Sequence, residues 1–236
     1  MTDDDFDGKF FRMNLNLQNI LLMILPLILA ITLHEAAHAY AARYFGDRTA
    51  EQLGRLTLNP LAHIDPVGTI LVPLLMFVGS MSIGESAFLF GWAKPVPIIT
   101  RHFKNVRVGM RITALAGPLS NLVMMFAWSL LIIIALWVPE NIGYPLLRMC
   151  SYGIAFNAVL FVLNMLPILP LDGGRVLDTF LPAKYSYLFQ KIEPYGIWIV
   201  LILAFTGVLW HILSPLVSML LYLSELILLP LKIMLN

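Results

Sequence analysis

Two histidines four residues apart, with a glutamate directly after the first, stand inside an apolar run: Leu33-His34-Glu35-Ala36-Ala37-His38-Ala39. On an α-helix the i, i+4 spacing puts His34 and His38 one turn apart on one face, where two imidazoles can bind one zinc ion. Glu35 lies one position round the helix. There it can reach a water at the metal without being a ligand and act as its general base, which is the chemistry of metal-assisted hydrolysis. Charged groups in a segment fit for hydrocarbon cost about 2.5 kcal/mol or more each, so such groups are functional by default. The competing reading is a polar cluster that pins one helix to another. A catalytic zinc takes three protein ligands and leaves the fourth position to water, so one more ligand must come from elsewhere. Asp172 is the candidate, in Asn164-Met165-Leu166-Pro167-Ile168-Leu169-Pro170-Leu171-Asp172-Gly173-Gly174-Arg175. Pro167 and Pro170 end the preceding helix, and Gly173 and Gly174 allow a tight turn that aims Asp172 sideways. An Asp before two glycines is by itself an ordinary turn; the histidine pair gives it weight. His63, His102 and His211 read as capping or interfacial groups.

The elements that must position these residues lie in lipid. Of 236 residues, 59% are hydrophobic and 12% charged, and the mean hydropathy is +0.83. Those values fall outside the range of soluble domains. Apolar runs at 17–42, 112–138, 149–166, 196–213 and 215–229 are candidate spans, and 66–81 is a shorter one with Pro73 near its middle. The expected fold is an all-α polytopic membrane protein, a bundle of about five or six transmembrane helices with a re-entrant segment and a small β-hairpin near the active site. Asp3, Asp4, Asp5 and Asp7 precede Lys9 and Arg12, unlike the basic start of a cleaved signal peptide, so the first run is expected to persist. The net charge of +1 and the absence of interleaved basic and aromatic residues give no sign of nucleic-acid binding. The lone Cys150 cannot form an internal disulfide and reads as a buried small hydrophobe. No repeat is apparent. The expected organisation is an extramembrane tail at 1–16, an intramembrane core at 17–195 and a C-terminal transmembrane helix pair at 196–236.

Four motifs in order carry a resemblance. They are His34-Glu35-Ala36-Ala37-His38, Gly91-Trp92-Ala93-Lys94-Pro95-Val96-Pro97, Ala116-Gly117-Pro118-Leu119-Ser120-Asn121, and 164–175. With them the chain resembles the site-2 proteases, the intramembrane zinc metalloproteases of peptidase family M50, most of all their compact bacterial branch without a PDZ domain. The resemblance implies one zinc per chain, held by His34, His38 and Asp172, with Glu35 as base. It also places Asn121 near the metal. There the Asn121 amide could donate to the developing oxyanion or hold the substrate backbone, or Ala116, Gly117 and Ser120 could simply let helices approach closely. Asn164 could order the proline-rich turn or contact substrate. The role of the last two spans is open.

A shared metal requires the histidines and Asp172 at one depth, so the helices that carry and precede them must run in the same direction. The helix between 112 and 138 then runs oppositely, and 66–81 should re-enter or return through 88–99. That topology leaves only Lys9, Arg12 and Arg148 of the 15 basic residues outside, in keeping with the positive-inside rule. It predicts an outside N-terminus, a multi-pass protein of the cell membrane, and a site near the cytoplasmic face. The implied partners are the lipid bilayer and a transmembrane protein or peptide substrate. Such a substrate must unwind, because its carbonyls are already hydrogen-bonded in hydrocarbon. Residues 86–96, with Phe88, Phe90 and Trp92 at alternate positions, read either as an extended hairpin whose edge pairs with the unwound chain or as an interfacial loop with an aromatic anchor. The alternative function is a zinc-binding membrane protein that cuts nothing, or a zinc transporter.

Overall fold

The computed structural model describes residues 17–71 and 94–235. Among them the regular structure is helical: α1 (Leu17–Tyr44), a short α2 (Thr49–Gln52), α3 (Val106–Ala135), α4 (Glu140–Asn164), α5 (Asp172–Asp178), α6 (Ala183–Gln190), α7 (Glu193–Phe205) and α8 (Val208–Leu235). Single turns at Pro60–His63 and Thr100–His102 and a wide helical turn at Pro66–Leu71 connect them. Four helices, α1, α3, α4 and α8, are long and apolar enough to cross a membrane, and α6 with α7, bent by 60°, make a fifth if taken together. Pro26, Pro118 and Pro145 sit inside these helices, as neighbours in a membrane bundle allow.

The long helices begin and end where the sequence supplies a stop. Asn105 caps α3 by accepting from the Val108 N–H at 3.1 Å. Pro139 opens α4 after a short connection. Thr113 of α3 meets His38 late in α1, and Asn121 meets His34 and Ala30 earlier in it, so α1 and α3 are antiparallel. Asn121 also meets Asn157, and Trp128 lies over Gly153, so α3 and α4 are antiparallel as well. α1 and α4 therefore run in one direction, as a shared ligand set requires. The apolar core joins Met125 and Trp128 of α3, Cys150, Ile154, Ala158 and Val162 of α4, Val200 of α7, and Leu209, Leu213, Val217 and Leu220 of α8. The C-terminal helices are thus packed into the same core.

Several expectations change. The last spans do not divide near Pro215; the break is at Thr206–Gly207, where Gly207 takes φ 75°, and Pro215 lies inside α8. A left-handed glycine stops a helix more firmly than a proline within a packed membrane helix. α4 begins at Glu140, nine residues ahead of the apolar run that revealed it. Of the re-entrant segment at 66–81, the part after Leu71 lies outside the described residues. So do residues 86–93 of the expected hairpin. Lys94, Pro95 and Val96 are described; they belong to an extended stretch that pairs with no strand, and no strand occurs among the described residues. Pro95 and Pro97 lack the N–H groups that a ladder would use there.

Candidate metal centre

α1 presents His34 and His38 toward α3 and α5, with their rings edge to face at 4.7 Å between centroids. The His34 and His38 Nε2 atoms are 3.0 Å apart. Asp172 opens α5, and its Oδ2 lies 3.2 Å from His34 Nε2 and 3.3 Å from His38 Nε2. All three ligand atoms fall within 4.8 Å of one another. The structure therefore brings together the three residues that the sequence singled out as ligands.

The other ring nitrogens decide what these atoms can do. His38 Nδ1 lies 2.7 Å from the Thr113 carbonyl, which can only accept, so this nitrogen carries the proton and donates. His34 Nδ1 lies 2.6 Å from Asn121 Oδ1. Asn121 Nδ2 faces the Ala30 carbonyl at 3.1 Å, and that contact fixes which end of the amide is nitrogen. His34 Nδ1 must then be the donor. With both rings neutral, each Nε2 carries a lone pair, and the two point at each other and at a carboxylate oxygen. Three acceptors this close repel unless a cation lies between them, and two imidazoles with one carboxylate are the donor set of a catalytic metal site. A divalent metal fits the residues present.

Local sequence makes this possible. Gly117 lies against both rings: a Cβ there would overlap His38 Nε2 and come within 2.7 Å of His34 Nε2. Gly173 and Gly174 serve a purpose other than the expected tight turn. Neither has a positive φ; both are buried at the start of α5, where a side chain on either would collide with the backbone of Met165 to Leu169. Their smallness lets α5 lie on that turn and so delivers Asp172.

A cavity of about 330 Å³ opens beside the ligands, lined among others by Glu35, Pro95, Val96, Thr113, Asn164 and Arg175. Glu35 Oε2 accepts from the Val96 N–H at 2.9 Å, which ties the carboxylate to the extended stretch passing over α1. That stretch is pinned at intervals. Lys94 N–H donates to the His63 carbonyl at 2.9 Å, and the Arg55 guanidinium donates to the Lys94 carbonyl at 2.9 Å. Asp47, just past the end of α1, accepts from the Ile99 N–H at 2.6 Å and from His102 Nδ1 at 3.0 Å. Burial pushes the Asp47 carboxyl up, but its hydrogen bonds from Thr49, Ile99 and His102 outweigh that and hold it below the ordinary carboxylate range.

The two asparagines part company here. Asn164 lines the cavity, with Nδ2 donating to the Leu160 carbonyl at 3.0 Å and Oδ1 available. Asn121 is fully buried, and both Nδ2 hydrogens are committed, to Ala30 and to Asn157. It has none left for an oxyanion and acts on His34 instead. Thr113, Gly117, Val96, Asp47 and Asn157 were not singled out from the sequence as site residues. Thr113 sits one helical turn before the Gly117-Pro118 pair, and its buried hydroxyl has no hydrogen-bond partner in the protein.

A helical membrane bundle with a hydrolase-type donor set at one end of a cavity defines the class: a polytopic membrane protein with a candidate metal-hydrolase centre. The chain is 37% identical over 204 residues to YwhC of Bacillus subtilis, provisionally named a zinc metalloprotease, across 83% of this chain and 85% of that one. It is 31% identical over 193 residues to Rip2 of Mycolicibacterium smegmatis, provisionally named likewise, across 80% of this chain and 68% of the relative. The zinc metalloprotease MJ0392 of Methanocaldococcus jannaschii is 28% identical over 167 residues, covering 70% of this chain and 36% of its own length. No family model matches the chain, and no solved structure matches it significantly. The chain belongs to the zinc metalloprotease family represented by YwhC.

Proposed function

We propose that this protein is an intramembrane zinc metalloprotease of the site-2 type, of the compact kind without a PDZ domain. It would hydrolyse peptide bonds of transmembrane or membrane-adjacent substrates in regulated intramembrane proteolysis. The observation that carries the reading is the convergence of two imidazole nitrogens and a carboxylate oxygen on one cavity between membrane helices. In this reading His34, His38 and Asp172 hold one zinc ion per chain. The zinc supplies a Lewis acid that acidifies water and polarises the scissile carbonyl. Glu35, with one carboxylate oxygen fixed by Val96, takes the proton of the attacking water on the other and passes it to the leaving amine. Asn164 lines the same cavity, and its amide can hold the unwound substrate backbone. The stretch at 94–99 borders the cavity through Pro95, Val96 and Ile98, and unwound substrate would lie beside it. The site faces the cytoplasmic side.

The test is cleavage of a transmembrane reporter by the purified protein in liposomes. A zinc chelator should abolish cleavage and added zinc restore it. Glu35→Gln should keep zinc and cut at least about 100-fold more slowly. His38→Ala and Asp172→Ala should lose both zinc and cleavage. Undiminished turnover by folded Glu35→Gln protein would refute the assigned base. A zinc transporter would need further ligands along a path, and His34, His38 and Asp172 are the single such group among the described residues.

A further inference from the structure

Behind the ligands lies a polar side chain that no motif marks. Asn157 of α4 is 0% exposed, in the interior of a membrane bundle. A buried amide is costly there unless it is hydrogen-bonded. Its Nδ2 donates to the Gly153 carbonyl at 2.7 Å, and its Oδ1 accepts from Asn121 Nδ2 at 2.9 Å. Asn121 in turn donates to the Ala30 carbonyl and accepts from His34 Nδ1.

The chain of bonds has a direction. It ends on two backbone carbonyls, Gly153 and Ala30, which can only accept, so each amide nitrogen must face its carbonyl and each amide oxygen the next donor. Rotating the Asn121 amide by half a turn would set oxygen against oxygen at both Ala30 and Asn157. Asn157 thus supplies one of two contacts that hold Asn121 with its oxygen toward His34. The same bonds join α1, α3 and α4 at one depth, and α4 leads into the turn that delivers Asp172. We propose that Asn157 is a positioning residue for the metal centre. Through Asn121 it keeps the His34 proton on Nδ1 and the Nε2 lone pair turned toward His38 and Asp172. The inference rests on the zinc reading above for its consequence, while the relay itself can be tested without metal.

The experiment uses the full-length protein in nanodiscs, with Asn157→Leu to remove the acceptor, Asn157→Asp to keep an oxygen facing Asn121, and Met125→Ala as a variant destabilised away from the relay. Zinc affinity is measured by chelator competition. Asn157→Leu should bind zinc about 10- to 100-fold more weakly. Asn157→Asp should recover most of that loss, and Met125→Ala should bind as wild type. On metal-free protein labelled at histidine with nitrogen-15, the hydrogen-bonded Nδ1 proton of His34 should be present in wild type and lost in Asn157→Leu. If Asn157→Leu does not fold, the same spectrum of Asn157→Thr, which shortens the acceptor, should show a weakened Nδ1 signal. Wild-type affinity in Asn157→Leu, a loss no larger than that of Met125→Ala, or an unchanged Nδ1 signal in either variant overturns the inference. Failure of the wild type to bind zinc would sink the metalloprotease reading instead, and the Nδ1 signal would still decide the relay.

Discussion

Along α3 the interior changes character just past Asn121: on one side Thr113, Gly117 and Asn121 meet imidazoles, a backbone carbonyl and a second amide, and on the other Met125 and Trp128 meet Cys150, Ile154, Leu209 and Leu213. The apolar half carries Ser129, yet its hydroxyl is satisfied within the helix by the Met125 carbonyl. Between membrane helices apolar packing has little directional preference, because lipid tails are as apolar as the partner helix. It holds helices together without fixing rotation and depth to a fraction of an ångström. The polar half supplies that precision, through donors and acceptors that fit in one arrangement only.

The contrast can be broken most severely at Gly117. Gly117→Ala should lower zinc affinity by more than about 100-fold, because the added methyl occupies the space of both Nε2 atoms, while helix content by circular dichroism stays unchanged. Gly196→Ala comes next. Gly196 of α7 presses against the Leu169 carbonyl, so a methyl there pushes the turn that aims Asp172, and cleavage of a transmembrane reporter should fall up to about 100-fold. Thr113→Val keeps the carbonyl that holds His38 and removes only the buried, unpartnered hydroxyl beside the site. It should reduce kcat/KM by about 10-fold or less with zinc affinity unchanged, and Thr113→Ser should restore it.

The apolar half should answer differently. Met125→Ala leaves a cavity, but in lipid the transfer contribution largely drops out. The loss of stability should be about 1–3 kcal/mol, read by unfolding in mixed micelles, with cleavage per folded molecule little altered. The smallest effect at neutral pH concerns Asp47. Its folded carboxyl titrates below the unfolded value, so its contribution is complete above that value and is lost as pH falls through the folded one. Protection of the Ile99 amide, its exchange measured against the intrinsic rate at each pH, should therefore fall on acidification below about pH 4, and Asp47→Asn should make that protection insensitive to pH over the same window.

What could be read in advance follows from these forces. The histidine pair is legible because helical spacing alone puts His34 and His38 on one face, and Asp172 because the prolines before it and the glycines after it set it apart from the helix that precedes it. Spacing does not say which groups lie opposite. Asn121 therefore reads equally as a donor for substrate or as part of a close helix contact, although Ala30 and Asn157, distant in the chain, use up its hydrogens. Asp47 looks like one more solvated acid at a helix end; its partners Ile99 and His102 lie some fifty positions away and leave no local trace. The boundary at Gly207 was obscured by the stronger apparent signal of Pro215, and the start of α4 by Pro145 and Arg148 inside its first turns.

One bond described above also offers a built-in reporter. Val96 sits between Pro95 and Pro97, so it holds the sole exchangeable backbone hydrogen of that tripeptide, and this hydrogen rests on Glu35. Deuterium uptake by a proteolytic fragment centred there would read the engagement of a single carboxylate in the intact membrane protein, without a label, a substrate or a turnover assay.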